Sequence, residues 1–164
     1  MTRFSPWALI LCFVLVSSES FAADAKVRPA ESCVRVSGGS PALFFGTMDN
    51  ASTTSAMSVD CPLPRDNTTS PLSSAFVKVR DLNAGQSVAC QLVGVYQSGA
   101  STFTASESKS TSAGGVNSNW VNLTFGSLPG FNPGSQGYYY IQCTVPVRTA
   151  NGNSSVAMYQ VTEP

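Results

Sequence analysis

A chain of 164 residues has the length of about one domain. Nine Lys plus Arg stand against nine Asp plus Glu, so the net charge is zero; 11% of residues are charged and 43% hydrophobic. Balanced, scattered charge excludes the basic stripe that nucleic acid or an anionic membrane surface requires. The apolar content excludes a disordered tail, and the lack of histidine excludes Ser-His-Asp and Cys-His nucleophiles and most zinc and haem sites.

Met1 to Pro6 carries one charge, Arg3, and Trp7 to Val16 (WALILCFVLV) is uninterruptedly apolar. Ser17 to Ala22 turns polar and ends in Ser20-Phe21-Ala22, small residues where a signal peptidase cuts. This order predicts a secretory signal over residues 1–22. Ten helical residues rise about 15 Å, half of a roughly 30 Å hydrocarbon core, so a membrane span is not expected there. No later stretch is as long and apolar as a span requires. The expected organisation is a signal over 1–22, a flexible leader over 23–31 and a domain over 32–164, secreted or periplasmic.

Beyond the signal stand Cys33, Cys61, Cys90 and Cys143, an even number in an exported chain. Three pairings are possible. Without CxxC spacing or a His to complete a site, zinc is the weaker reading of these cysteines, and no metal or other cofactor is expected. The preferred pairs are Cys33–Cys61 and Cys90–Cys143, because Cys90 and Cys143 each sit on the apolar face of a strand-like segment. Loops of 28 and 53 residues would each stabilise by roughly 3.5 to 4 kcal/mol in the chain-entropy account.

From Cys33 onward the period is two. Cys33 to Val36, Ala42 to Phe45 and Ser55 to Cys61 read as short strands, and Cys61-Pro62-Leu63-Pro64 ends the third. Ala75 to Arg80 alternates Val77 and Val79 with Lys78 and Arg80. Ser87 to Tyr96 aligns Val88, Cys90 and Leu92, with Gly94 expected as a bulge. Ser101 to Ala105 is a weaker strand, Ser106 to Asn117 a polar loop, and Asn119 to Phe125 a strand. Gly126 to Gly137 is too rich in Gly and Pro for a regular element. Tyr138 to Val147 sets Tyr139, Ile141, Cys143 and Val145 against Tyr138, Tyr140, Gln142 and Thr144. Asn151-Gly152 then predicts a hairpin with Val156 to Val161. No helical period follows the signal. The expectation is all-β: a single antiparallel β-sandwich, Ig-like or jelly-roll-like, of eight or nine short strands and two disulfides.

Asp24, Glu31, Asp49, Asp60, Asp66, Asp81, Glu107 and Glu163 are the carboxylates beyond residue 22. A carboxylate-based hydrolase needs two of them facing each other at about 5–9.5 Å; most lie in or beside expected loops. Asp81-Leu82-Asn83 and Asp66-Asn67 offer oxygens to calcium, but turn bonding to their own backbone accounts for both. Trp120, Phe131, Tyr138 and Tyr140 could form an aromatic platform for a carbohydrate or protein partner; covering the sheets is the plainer role for such rings. Sequons begin at Asn50, Asn67, Asn122 and Asn153.

Asn50 to Asn67 (NASTTSAMSVDCPLPRDN), V-x-C at Cys90, Y-Y-x-x-C at Cys143 and the closing MYQVTE together resemble small secreted four-cysteine β-proteins of Gram-negative bacteria. That resemblance implies export and the cysteine framework and carries over no functional residue. Separately, Cys33 through Phe45-Gly46 to Val59-x-Cys61 is similar to the opening of fimbrial and spore-coat-U-type subunits. There a C…FG…V-x-C stretch forms the first disulfide, and a neighbour donates a strand. Ala23 to Glu31 departs from that pattern, lacking an alternating apolar run. The expected function is a non-enzymatic exported sandwich, binding or structural, in the periplasm or at the cell surface. A subunit of a surface fibre or coat, and a carboxylate-based hydrolase, are the alternatives.

Overall fold

A computed structural model describes residues 24–68, 70–112, 116–129, 131 and 137–164. The expected signal, Met1 to Ala22, lies outside them, as does part of the stretch before Gly137. The described chain is all-β, with a single 3₁₀ turn at Ala30–Ser32. Its strands are β1 Asp24–Pro29, β2 Val34–Gly38, β3 Pro41–Phe44, β4 Thr47–Asn50, β5 Met57–Leu63 and β6 Ser74–Asp81. They continue as β7 Ala89–Ser98, β8 Ser101–Ser110, β9 Asn117–Phe125, β10 Gly137–Val145 and β11 Ser155–Glu163.

Two antiparallel sheets form the sandwich. The first runs β3-β4-β11-β6-β9, with β1 also paired to β11; the second runs β2-β5-β10-β7-β8. β4 and β1 share one flank of β11, β4 at Ser155 and Val156 and β1 from Met158 to Glu163. A register shift in β11 against β6, between Val156 and Met158, falls where one hands over to the other.

Period-two alternation places the core. Met57, Val59, Cys61 and Leu63 of β5 and Tyr139, Ile141, Cys143 and Val145 of β10 face Val77 and Val79 of β6 and Val156, Tyr159 and Val161 of β11, all buried. The disulfides are Cys33–Cys61 and Cys90–Cys143, with Cα atoms 4.1 and 4.0 Å apart. Cys90 and Cys143 are direct register partners on β7 and β10, and Cys33, the residue just before β2, is bridged to Cys61 of the neighbouring β5. They staple neighbouring strands rather than joining the layers.

Several expectations are corrected. The leader, expected to be loose, is β1, paired at six positions with β11. An edge strand packs few side chains, so backbone pairing can hold a polar sequence that carries no apolar alternation. Among the described residues the strands number eleven rather than eight or nine. β4 was hidden because Met48 is its only large apolar residue, and β8 extends through Ser110 because β7 supplies its hydrogen bonds. The C-terminal strands form no hairpin: β10 belongs to the second sheet and β11 to the first. Asn151-Gly152 instead turns the crossover, through paired bonds between Thr149 and Gly152 of 3.1 Å. Gly94 is not a bulge, since its pairing with Tyr139 and Ala105 is regular. A Cβ there would stand 2.4 Å from the Phe131 ring, so glycine leaves the space that ring fills.

Buried polar side chains tie the loops. Asn50 accepts from the amides of Ser40 and Ser52, each at 3.1 Å, and its Nδ2 faces the carbonyls of Ser55, Val145 and Pro146. Asp81 accepts from the amides of Asn83 and Val88 and from the hydroxyls of Thr111 and Ser154. Asn83 Oδ1 in turn accepts from the amides of Gly85 and Gln86. The oxygens considered for calcium at Asp81-Leu82-Asn83 are thus used on N–H and O–H donors, as in an Asx turn.

Candidate functional site

The strands that bury Tyr139, Ile141 and Cys143 must turn the intervening side chains outward. On the second sheet this lays out rows across the strands. Val34 of β2, Asp60 of β5, Gln142 of β10, Gln91 of β7 and Ser108 of β8 are successive register partners. Beside that row stand Pro62, Tyr140, Val93 and Ser106, and then Tyr138, Val95 and Thr104.

Tyr138 and Tyr140 lie two residues apart on β10, with ring centroids 6.0 Å apart and planes tilted by 32°. Tyr138 is 56% exposed. Val93 and Val95, their cross-strand neighbours, are buried although they belong to the outer face. The tyrosines therefore stand on an apolar floor. With Val34, Asp60 and Pro62 they line a hollow of about 260 Å³. Gln142 Nε2 donates to Asp60 Oδ1 at 2.9 Å, which orients the amide. Gln142 also lines a second hollow of about 520 Å³ with Gln91, Ser108, Lys109, Ser110 and Thr144. Burial first, then Asp60 and Tyr138, raises the Tyr140 phenol above its usual range. It remains a neutral O–H donor at physiological pH.

The four aromatics singled out in the sequence part company. Tyr138 and Tyr140 stand together on this face. Phe131 packs edge-on against Tyr139 at 5.9 Å, next to the core, and its carbonyl accepts from the Tyr139 hydroxyl at 3.3 Å. Trp120 is on β9 of the other sheet, with the Arg80 guanidinium 4.9 Å above its ring. Alternation along β10 already puts Gln142 on the tyrosines' face; Asp60 and Gln91 were missed because register between distant strands brings them beside it.

Among the described residues, Asp24, Asp66 and Glu163 gather their carboxylate oxygens within 4.8 Å of one another. Among them sits the Lys26 ammonium, 2.9 Å from Asp24, 3.3 Å from Asp66 and 2.5 Å from the buried Glu163. Arg65 Nε reaches Glu163 at 3.4 Å, and the Asp66 amide donates to it at 2.9 Å. Burial pushes the Glu163 carboxyl upward, but Lys26 and the amides of Asp66 and Asn67 outweigh this and hold it below its usual range. Lys26 is raised, chiefly by Asp24 and then Glu163. An ammonium in their midst makes these acids an ion cluster clasping β1 to β11.

The fold and its outer face define a disulfide-stapled β-sandwich with an aromatic and polar platform on one sheet. No protein-family model and no curated protein matches the chain. Among solved structures it is similar to a low-affinity xylan-binding module from the gut symbiont Roseburia intestinalis, at 15% identity and a TM-score of 0.47, over 84% of this chain and 94% of that one. It is also similar to a family two carbohydrate esterase from Cellvibrio japonicus, at 6% identity and a TM-score of 0.44. That likeness covers 87% of this chain, which spans 34% of the esterase.

Proposed function

We propose that this chain is an exported, non-catalytic binding module that takes a carbohydrate on the outer face of its second sheet. The observation that carries the reading is the pairing of Tyr138 and Tyr140 with the Asp60–Gln142–Gln91 row beside them. A sugar ring has an apolar C–H face and an equatorial rim of hydroxyls. Aromatic rings on an apolar floor stack against the first, while carboxylate and amide groups bond the second. Two hollows on this face, linked by the Gln142–Asp60 hydrogen bond, fit a chain of sugars better than a single one. The ion cluster supports a binding rather than a hydrolytic role, because its acids are committed to Lys26 and Arg65. Two disulfides fit an oxidising compartment, the secreted or periplasmic setting expected of a cleaved signal.

The test is native electrophoresis through gels holding soluble xylan, mixed-linkage glucan, mannan or pullulan. Retardation is expected in at least one gel. Tyr138→Ala and Tyr140→Ala should each weaken it by roughly tenfold or more, as losing a stacking partner does. Tyr138→Ala should leave unfolding free energy within about 1 kcal/mol of the parent, because its ring is exposed. Unretarded migration in all four gels, or retardation indifferent to both substitutions, would defeat the proposal.

A further inference from the structure

A second surface stands apart from the platform. β3 and β4 form a two-stranded hairpin at the edge of the first sheet, closed by Phe45 and Gly46. Leu43, Phe44 and Phe45 at its tip are 58%, 64% and 90% exposed, three large apolar side chains in succession. Phe45 holds a φ of +46°, the left-handed region where a bulky L residue is strained and glycine is not. Local stability therefore does not account for a phenylalanine there. Nor is the tip a loose loop that could fold its rings away. Thr47 Oγ1 donates to the Phe44 carbonyl at 2.7 Å, the Gly46 amide donates to Glu31 Oε1 at 3.0 Å, and the Ala30 amide donates to the Gly46 carbonyl at 3.0 Å. The two phenylalanine rings meet only edge to face, with centroids 4.3 Å apart.

We propose that this tip inserts into the interfacial layer of an electrically neutral lipid bilayer. The directions of the side chains choose the occupant. Leu43 shares a face with its register partner Met48, Phe44 takes the opposite face with Thr47, and Phe45 projects from the turn itself. A flat protein surface covers one of these directions, whereas a lipid interface closes round a hairpin end from all of them. The charge of the segment sets the kind of lipid. From Ser40 to Ser52 there is no Lys or Arg, and the ionised group is Asp49, with Glu31 at the hairpin base. An anionic headgroup layer finds no attraction here and repels Asp49 and Glu31; a zwitterionic one, with no net charge, leaves apolar burial of the rings unopposed.

The experiment is flotation of the oxidised secreted form, the chain freed of its signal over 1–22, with phosphatidylcholine vesicles over a range of lipid concentrations. The parent should float, and the Phe44→Ser/Phe45→Ser double variant should partition at least roughly tenfold more weakly. Replacing about a third of the lipid with phosphatidylglycerol should leave partitioning unchanged or lower. Phe45→Gly is the second variant, because it relieves the strained φ while removing the ring. It should bind less while melting at the same temperature or higher, which separates lost insertion from lost folding. Tyr138→Ala should float as the parent does, keeping this outcome independent of the carbohydrate reading. The proposal is overturned if the parent stays in the buffer at every lipid concentration, if it floats only with anionic vesicles, or if Phe45→Gly floats like the parent. It is also overturned if light scattering shows a lipid-free dimer that the double variant dissolves, since the tip would then cover a second copy.

Discussion

At the scale of single residues, the groups that set stability are polar ones buried with partners. Glu163 is the clearest. Its folded carboxyl lies below its usual range, whereas an unfolded one titrates near about 4.3. The stabilisation is therefore complete above that value and is lost as pH falls through the lowered folded value. Urea unfolding between pH 7 and 3 should show an acid limb that Glu163→Gln flattens. The same substitution should cost about 3 kcal/mol at pH 7, because Arg65 would lose its carboxylate and Lys26 the buried one of its three. A variant with the parent's acid limb would show that this carboxylate is not the titrating group. Asn50→Ala should also cost about 3 kcal/mol, leaving two amides and three carbonyls without the side chain they face. Because that side chain is fully buried, the sequon beginning at Asn50 should carry no glycan even where Asn67 or Asn122 does. At Gly94 a methyl group meets the Phe131 and Tyr139 rings, so Gly94→Ala should destabilise by about 1–3 kcal/mol, read from the same unfolding curves.

At the scale of elements, β1 behaves differently from the strands it joins. Its side chains are largely exposed, so backbone bonds to β11 and the clasp at Lys26 hold it, rather than apolar burial. Such an edge opens locally at lower cost than the core does. Hydrogen exchange should find Asp24–Pro29 less protected than β6. Lys26→Ala should speed exchange in β1 while leaving the β6–β11 pairing slow; uniform acceleration of both would mean that β1 and the core open together. In this arrangement the chain's own first strand occupies the flank of β11. The sequence hid β1 for a physical reason: apolar alternation reports burial of one face, and this strand buries little on either. The same reason concealed the second half of β8, Ser106 to Ser110, whose Ser and charged residues lie on an exposed edge.

For the whole molecule, β3–β4 and β7–β8 are hairpins within one sheet, while the other connections pass from one sheet to the other. Neighbours in space are therefore distant along the chain, a topology that folds in milliseconds to seconds rather than microseconds. The two disulfides shorten that search. Their loops, 28 and 53 residues long, share no residue, so their effects add. Reducing both should lower unfolding free energy by roughly 7 kcal/mol, measured in urea with and without reductant. A loss near half that value would mean that one bridge is strained or that the unfolded chain keeps structure.

Two levels of information meet in this protein. Hydrophobic period, turn residues and cysteine parity determined the fold class, because each strand's alternation is a local property that survives without its neighbours. They also marked Tyr138 and Tyr140 as facing away from the core, since residues two apart on a strand share a face. Register decided the rest. Which strands share a sheet, which side chains of other strands stand beside those tyrosines, and which carboxylate receives Lys26 depend on pairing between segments as far apart as Asp24 and Glu163. Such pairing is chosen by the packing of all the layers at once, and no window along the chain contains it.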